Sequence, residues 1–435
     1  MNDRRLRTIF LIVFIDLLGF GLVLPLLPFY AENYGATPAV TGLLVASYAA
    51  AQLVGAPLLG RLSDRYGRRP MLMVSVSGTF VGFLLLAGAD PLGRASAAVF
   101  SGGSASGFIL AILFLSRILD GLTGGNISIA QAYIADVTLP ADRARAFGLI
   151  GAAFGLGFIL GPAVGGTLST WGFSLPPLAA AAMSLLALTG ILFWLPESLP
   201  EAARTQPDSS RRPPITLGAL VQAFSRPRVG PLLLVRLIFG LSFALFQTVF
   251  PLYSQYRFGL NARSTGYILA YVGFLIVLVQ GVGIKGLTAR FAESRLLVMS
   301  TGMMMLALAA WAWVPTWPLL LLVLIPLALA GGVLNTVINA ALSKAVLPAE
   351  IGGTLGLSTS VESLTRVVAP SIGGALLGAL GTSAPGIAGA VLLAGLFPYA
   401  WYRLLLCPDP PLELAVASPA SQATATPAST EESTA

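Results

Sequence analysis

Gly60-Arg61-Leu62-Ser63-Asp64-Arg65-Tyr66-Gly67-Arg68-Arg69-Pro70 stands between two apolar runs, Thr41 to Gly60 and Met71 to Ala89. A hydrocarbon core of about 30 Å takes about 20 apolar residues per helix. Both runs therefore read as membrane spans, and the arginine-rich stretch as the short turn that joins them. Working outward from this turn, the same pattern recurs until twelve runs are found. The others are Thr8 to Tyr30, Gly107 to Ala135, Ala146 to Thr167, Pro177 to Leu195, Pro231 to Tyr256, Ser264 to Ile284, Leu296 to Val314, Pro318 to Ser343, Gly353 to Leu380 and Pro385 to Leu405. The first is too long, and followed by too many others, to be a cleaved signal.

Composition agrees with an all-α membrane protein. Of 435 residues, 56% are apolar and 10% charged, with a mean hydropathy of +0.84, whereas soluble domains are about one quarter charged. The single Cys407 and the lack of histidine exclude a disulfide framework and a Cys/His zinc site, and remove the commonest general base. The sequence holds no nucleophile/base set, metal-ligand cluster or phosphate-binding loop, so no cofactor, metal or enzymatic activity is expected.

The net charge of +7 is topological. With the N-terminus inside, nineteen of the 25 Lys and Arg fall in inner segments, and only Arg94, Arg257 and Arg263 in outer loops. Such asymmetry fixes orientation by the positive-inside rule and places both termini in the cytoplasm of a cell (inner) membrane. No basic cluster with interleaved aromatics points to nucleic acid. The expected division is a six-helix bundle over 1–195, an inner linker over 196–230, a second bundle over 231–406, and a disordered tail over 407–435.

The two bundles look like copies. Pro28-x-Tyr30 matches Pro251-x-Tyr253, Gly42 matches Gly266, and Leu62 to Tyr66 matches Leu287 to Phe291, at offsets of 223 to 225. Pro140-Ala141-Asp142 matches Pro348-Ala349-Glu350, and Gly161-Pro162-x-x-Gly165-Gly166 matches Ala369-Pro370-x-x-Gly373-Gly374, at an offset of 208. One insertion, the outer segment from Asp90 to Ser106, accounts for the change of offset. Two parallel repeats joined by an inner loop suit a secondary transporter that rocks one half against the other.

The Gly60 to Pro70 turn resembles the loop motif of the major facilitator superfamily, in its drug:proton antiporter branch. Arg117-x-x-Asp120-Gly121-x-x-Gly124-Gly125, with Tyr133-Ile134-Ala135-Asp136, extends the resemblance, as does Gly151-x-x-x-Gly155-x-Gly157-x-x-x-Gly161-Pro162-x-x-Gly165-Gly166. With Asp16-x-x-Gly19-x-Gly21-x-x-x-Pro25-x-x-Pro28 and Leu195-Pro196-Glu197-Ser198, the chain is similar to tetracycline-type efflux proteins over about its first 380 residues. The resemblance implies a twelve-helix fold, alternating access and a monomer. It also implies a gate in which Asp64, Arg65 and Arg68, with Gly60 and Gly67 shaping the loop, join Asp136, while Gly161 and Pro162 serve a hinge or seal. Small residues four apart also pack helices with no transport role. Ala289 stands where the second loop copy has aspartate in the family, and the eighth span lacks the histidine of some tetracycline exporters.

Ionisable residues inside spans cost about 2.5 to 3.5 kcal/mol each on insertion scales, so Asp16, Arg117, Asp120, Arg236, Glu362 and Arg366 must face protein or water. Arg117, Asp120, Gly121, Gly124, Ser128 and Gln131 fall at steps of three and four, a polar stripe down the fourth helix. In a chain without histidine, proton coupling falls to a carboxylate. Asp16, alone in its span, is the first candidate, with Arg117 as its expected partner, and Asp120 is the second. An arginine partner favours the ionised carboxylate, and separating the two favours protonation. Glu362 and Arg366 are either part of this coupling set or a silent intrahelical bridge, and Arg236 either enters the cavity or snorkels to the inner surface. Candidate substrate contacts are Gln52, Asn126, Gln131, Arg236, Gln247, Gln280, Asn335 and Asn339, with Tyr48, Phe243 and Trp311. Carboxylates among amides and aromatics suit neutral or cationic amphiphiles and leave sugars open. The expected partners are a small-molecule substrate, protons and the bilayer. Proton-coupled export leads, nutrient symport is the alternative, and a membrane enzyme or receptor is disfavoured.

Overall fold

The computed structural model describes residues 3–100, 104–138, 143–199, 217–347 and 350–407. Much of the expected linker, nearly all of the tail, and all of the Pro140/Pro348 match except Glu350 lie outside them. Among the described residues, twelve helices are long and apolar enough to cross a membrane. The first six are Arg5–Asn33, Pro38–Tyr66, Arg68–Ala87, Ala105–Val137, Gly148–Trp171 and Leu175–Trp194. The seventh to twelfth are Val229–Phe258, Ala262–Arg290, Glu293–Trp313, Trp317–Lys344, Ile351–Leu380 and Ala384–Leu406. Eight contain their expected runs, whereas the third ends before Ala89, the fifth begins after Ala146, the sixth ends before Leu195 and the ninth before Val314.

Two spans are interrupted, and the cause lies in the sequence. In the first, helix stops at Val23 and resumes at Leu27, because Pro25 and Pro28 lack the N–H that the preceding turn needs. In the fourth, helix covers Ala105–Leu122 and Asn126–Val137, leaving Thr123 to Gly125 between. Backbone groups freed inside a membrane must find partners. Ser75 Oγ donates to the Thr123 carbonyl and accepts from Gly125 N at 3.2 Å, and Gln52 Nε2 donates to the Gly124 carbonyl at 3.2 Å. The inserted outer segment carries a helix of its own, Ala89–Val99, held close to the fourth span where Gly93 meets Ile109.

Each half has its own core. That of the second centres on Leu233, Phe250, Trp311, Leu324 and Leu334; the first half has two clusters, around Ile9, Val76 and Tyr133 and around Leu22, Leu44 and Phe83. The halves meet where the second span packs on the eleventh and the fifth on the eighth. Matching residues make these contacts. A β-carbon on Gly42 would press on the Pro370 carbonyl and lie 3.3 Å from Gly374 Cα; on Gly266 it would press on the Pro162 carbonyl and lie 3.2 Å from Gly166 Cα. These are the pairs that the sequence repeat relates, so the interface is close to two-fold symmetric. Both contacts lie toward the end of the bundle away from the chain termini. There Leu26, Phe29 and Ala262 also bury one another, and Thr167 Oγ1 lies 2.9 Å from the Tyr267 hydroxyl. At the end that carries the termini, Gly60, Gly148, Gly151, Gly352 and Gly353 have open space where a side chain would be.

Candidate functional site

In the first half, the break in the fourth span decides which groups meet. Asn126 begins the helix after the break and points its amide across to the first span, donating to Asp16 Oδ2 while its own Oδ1 accepts from Ile127 N at 2.9 Å. Asp16 is buried, and its Oδ1 has no hydrogen-bond partner. Beside it, Gln52 donates to the Tyr48 hydroxyl at 3.0 Å, and the Tyr48 ring lies 5.4 Å from that of Phe20.

Arg117 is not the partner of Asp16. It pairs with Asp120 one turn along its own helix, 3.2 Å from Nη1 to Oδ2, and its guanidinium lies 5.5 Å from the Phe83 ring. Both are buried between helices of the first half, at 3% and 2% exposure. The expected stripe along the fourth span is thereby split: Arg117, Asp120, Gly121 and Gly124 are buried, whereas Ser128 and Gln131 beyond the break are exposed. A regular helix would have kept them on one face.

The second half holds a three-helix charge cluster. Arg236 of the seventh span is buried; its Nη1 donates to Asn335 Oδ1 at 2.7 Å and its Nη2 to Glu362 Oε2. Arg366 Nη2 donates to Glu362 Oε1 at 2.6 Å. Glu362 thus joins the seventh and eleventh spans and is more than an intrahelical bridge, and Arg236 does not snorkel. Gln247 and Gln280 are half-buried, Gln131 and Asn339 exposed; among the described residues none of these four hydrogen-bonds into either cluster. Trp311 belongs to the core: it is fully buried, with the rings of Tyr253 and Phe246 at 4.5 Å and 5.2 Å. Phe243 is half-buried against Phe239.

The loop after the second span folds around Arg68. Its Nη1 lies 2.5 Å from Asp64 Oδ1 and 2.8 Å from Ser63 Oγ, and its Nε donates to Asp136 Oδ2 at 3.1 Å. Arg65 stands outside this cluster, exposed, with its guanidinium 5.4 Å from the Tyr66 ring. Glu197, quoted above only as part of a motif, is the residue that sequence reasoning missed. Its carboxylate accepts the backbone N–H groups of Arg68 at 2.9 Å and Arg69 at 3.1 Å, where the third span begins, as an anion does at a helix N-terminus. Ser198 Oγ donates to Asp136 at 3.0 Å and the Tyr133 hydroxyl to the Pro196 carbonyl at 2.9 Å. Gly67 has φ +104°, a region closed to other residues at little cost. In the fifth span, Gly161 abuts the Gly21 backbone and Pro162 the eighth span at Gly266; Gly60, in the second span, has open space where a side chain would be.

The comparisons with known proteins match this architecture. The Major Facilitator Superfamily model matches residues 9–315. The tetracycline resistance protein, class H, of Pasteurella multocida is 31% identical over 376 residues, 85% of this chain and 88% of that one. Solute carrier family 22 member 18 of Mus musculus is 32% identical over 355 residues, 81% of this chain and 84% of that one. Among solved structures, the human organic anion transporter MFSD10 (TETRAN) is similar at a TM-score of 0.67 and 23% identity, covering 92% of this chain and 99% of that one. The nucleoside transporter NupG is similar at 0.71 and 16%, with the same coverage; these two likenesses speak for the fold alone. The chain belongs to the Major Facilitator Superfamily and is a secondary transporter of that type, not an enzyme.

Proposed function

We propose that this transporter exports small amphiphilic molecules in exchange for protons, by alternating access, from the inner membrane of a cell with both termini in the cytoplasm. The two moving units are residues 1–195 and 231–406. With the arginine-rich end taken as cytoplasmic, the conformation described is open to the inside and closed outside. Likeness to tetracycline resistance proteins and the contacts of Gly155 and Gly166 of the fifth span with the eighth span of the opposite half support export.

The observation that carries proton coupling is the partner of Asp16. Asp120 and Glu362 each pair with an arginine, so protonating either one would leave a buried cation without its counter-charge. Asp16 bonds a neutral amide and leaves one oxygen unpaired, so it takes up a proton without displacing a cation. In this reading Arg117 and Asp120 brace the first half, the Asp64–Arg68–Asp136 group holds the inner loop, and Gln52 and Asn126 face the substrate.

A drug-susceptibility panel in an efflux-deficient host identifies a compound, and everted vesicles energised by a proton gradient test its direction of movement. Accumulation inside the vesicles that collapses with the gradient is expected. Accumulation in right-side-out vesicles driven by proton entry would replace export with symport.

A further inference from the structure

Two guanidinium groups share one carboxylate in the second half. Arg236 and Arg366 both bond Glu362, and neutralising Glu362 consumes only one positive charge. Arg236 keeps its share within the protein: its side chain is 4% exposed and its Nη1 is held by Asn335. The Arg366 side chain is 56% exposed. It lies near the middle of Ile351–Leu380, where an arginine facing hydrocarbon is strongly disfavoured. Its open side therefore faces the gap between the halves.

A further contact locates the group. One turn farther along the eleventh span, Pro370 meets Gly42 of the second span. Arg366 thus stands at the apex of the gap, where the closed end stops and the two halves part. Glu362 anchors one edge of its guanidinium and leaves other N–H donors directed into the gap. A planar fork of donors held in one orientation matches the paired oxygens of a carboxylate or sulfonate, and holding it beforehand lowers the cost of binding.

We propose that Arg366 docks an acidic group of the transported molecule, so that the cargo is an amphiphilic acid or zwitterion. This rests on the export reading above and replaces the neutral or cationic compounds that the amides and carboxylates of the sequence suggested.

The test uses the purified full-length protein in detergent and the same protein in everted vesicles. The probes are an anilinonaphthalene sulfonate and a quaternary ammonium dye of similar size. Fluorescence titration of the sulfonate is expected to show saturable binding that Arg366→Gln weakens about tenfold or more, the loss of a charge-assisted contact, while Arg366→Lys keeps most of it. Glu362→Gln frees both guanidiniums and is expected to tighten sulfonate binding, a gain that misfolding does not produce. Equal affinity in wild type and Arg366→Gln, or preference for the quaternary dye unaffected by these substitutions, overturns the proposal. The vesicles separate the two readings: pumping of the quaternary dye alone leaves export standing and removes the acidic cargo, and Arg366-dependent sulfonate binding without pumping does the reverse.

Discussion

Gly266 packs on the Pro162 carbonyl as its repeat-mate Gly42 packs on the Pro370 carbonyl. In each case the contacted atom is backbone and cannot swing aside, so closure of this end requires a missing side chain at both glycines. The two contacts share one geometry because the repeat supplies the same glycine and the same Pro-x-x-Gly-Gly partner to both sides of a two-fold interface.

Gly42→Val and Gly266→Val are therefore expected to keep that end from closing. A shift of about 1.4 kcal/mol against the closed state changes its population about tenfold, and transport should fall at least that far. A cysteine placed at Leu26, 4% exposed in the closed arrangement, with Cys407→Ser as background, reports the state directly. It should react with an impermeant maleimide added outside in the valine variants and resist it in the parent. Equal labelling in all three would show that these glycines do not control closure.

Asp16→Asn keeps the shape and the contact with Asn126 but removes the titrating group. Accumulation driven by a proton gradient should drop to background, while downhill exchange of substrate, which needs no proton, should persist at a comparable rate. Gradient-driven accumulation that survives the substitution assigns coupling to another group.

The spans and their repeat were legible because burial in hydrocarbon imposes length and composition on every helix, and because close helix contacts select glycine. Gly42, Gly266, Pro162 and Pro370 could be matched in the sequence and are found in matching contacts. The charge partners were not legible in the same way. Which face of a helix meets its neighbour depends on rotation, and the break at Thr123 to Gly125 turns the rest of the fourth span, so Asn126 reaches Asp16 in place of Arg117. Hydrophobic periodicity carries no sign of that turn, although the glycine pair at 124 and 125 marked the place. Glu197 was missed for a related reason: its partners are backbone N–H groups of Arg68 and Arg69, far away in sequence.

Arg117 and Asp120 form a buried ion pair that makes a separate prediction. Removing one member strands the other, at about 3 to 5 kcal/mol, whereas replacing both by apolar residues removes the need for compensation. Arg117→Met alone should sharply lower the yield and unfolding temperature of the purified protein, and adding Asp120→Leu should restore most of both. Transport should follow stability. A stable double variant with no transport would give the pair a direct part in coupling.

Gly67 and Glu197 test how the inner loop is held. A β-carbon on Gly67 would lie 3.0 Å from Glu197 Cδ, and the residue has φ +104°. Gly67→Ala therefore meets two obstacles, a backbone region costing about 1 to 3 kcal/mol for a side chain and a carboxylate in the way. Glu197→Ala clears the carboxylate but leaves the N–H groups of Arg68 and Arg69 without their acceptor, a loss of about 1 to 2 kcal/mol by analogy with helix caps. If the crowding is real, the two substitutions together should destabilise by less than the sum of their separate effects. Thermal unfolding of the three variants in one detergent measures the difference. Additive losses would show that only the backbone angle requires glycine there, with Glu197 acting independently as the anchor of the third span.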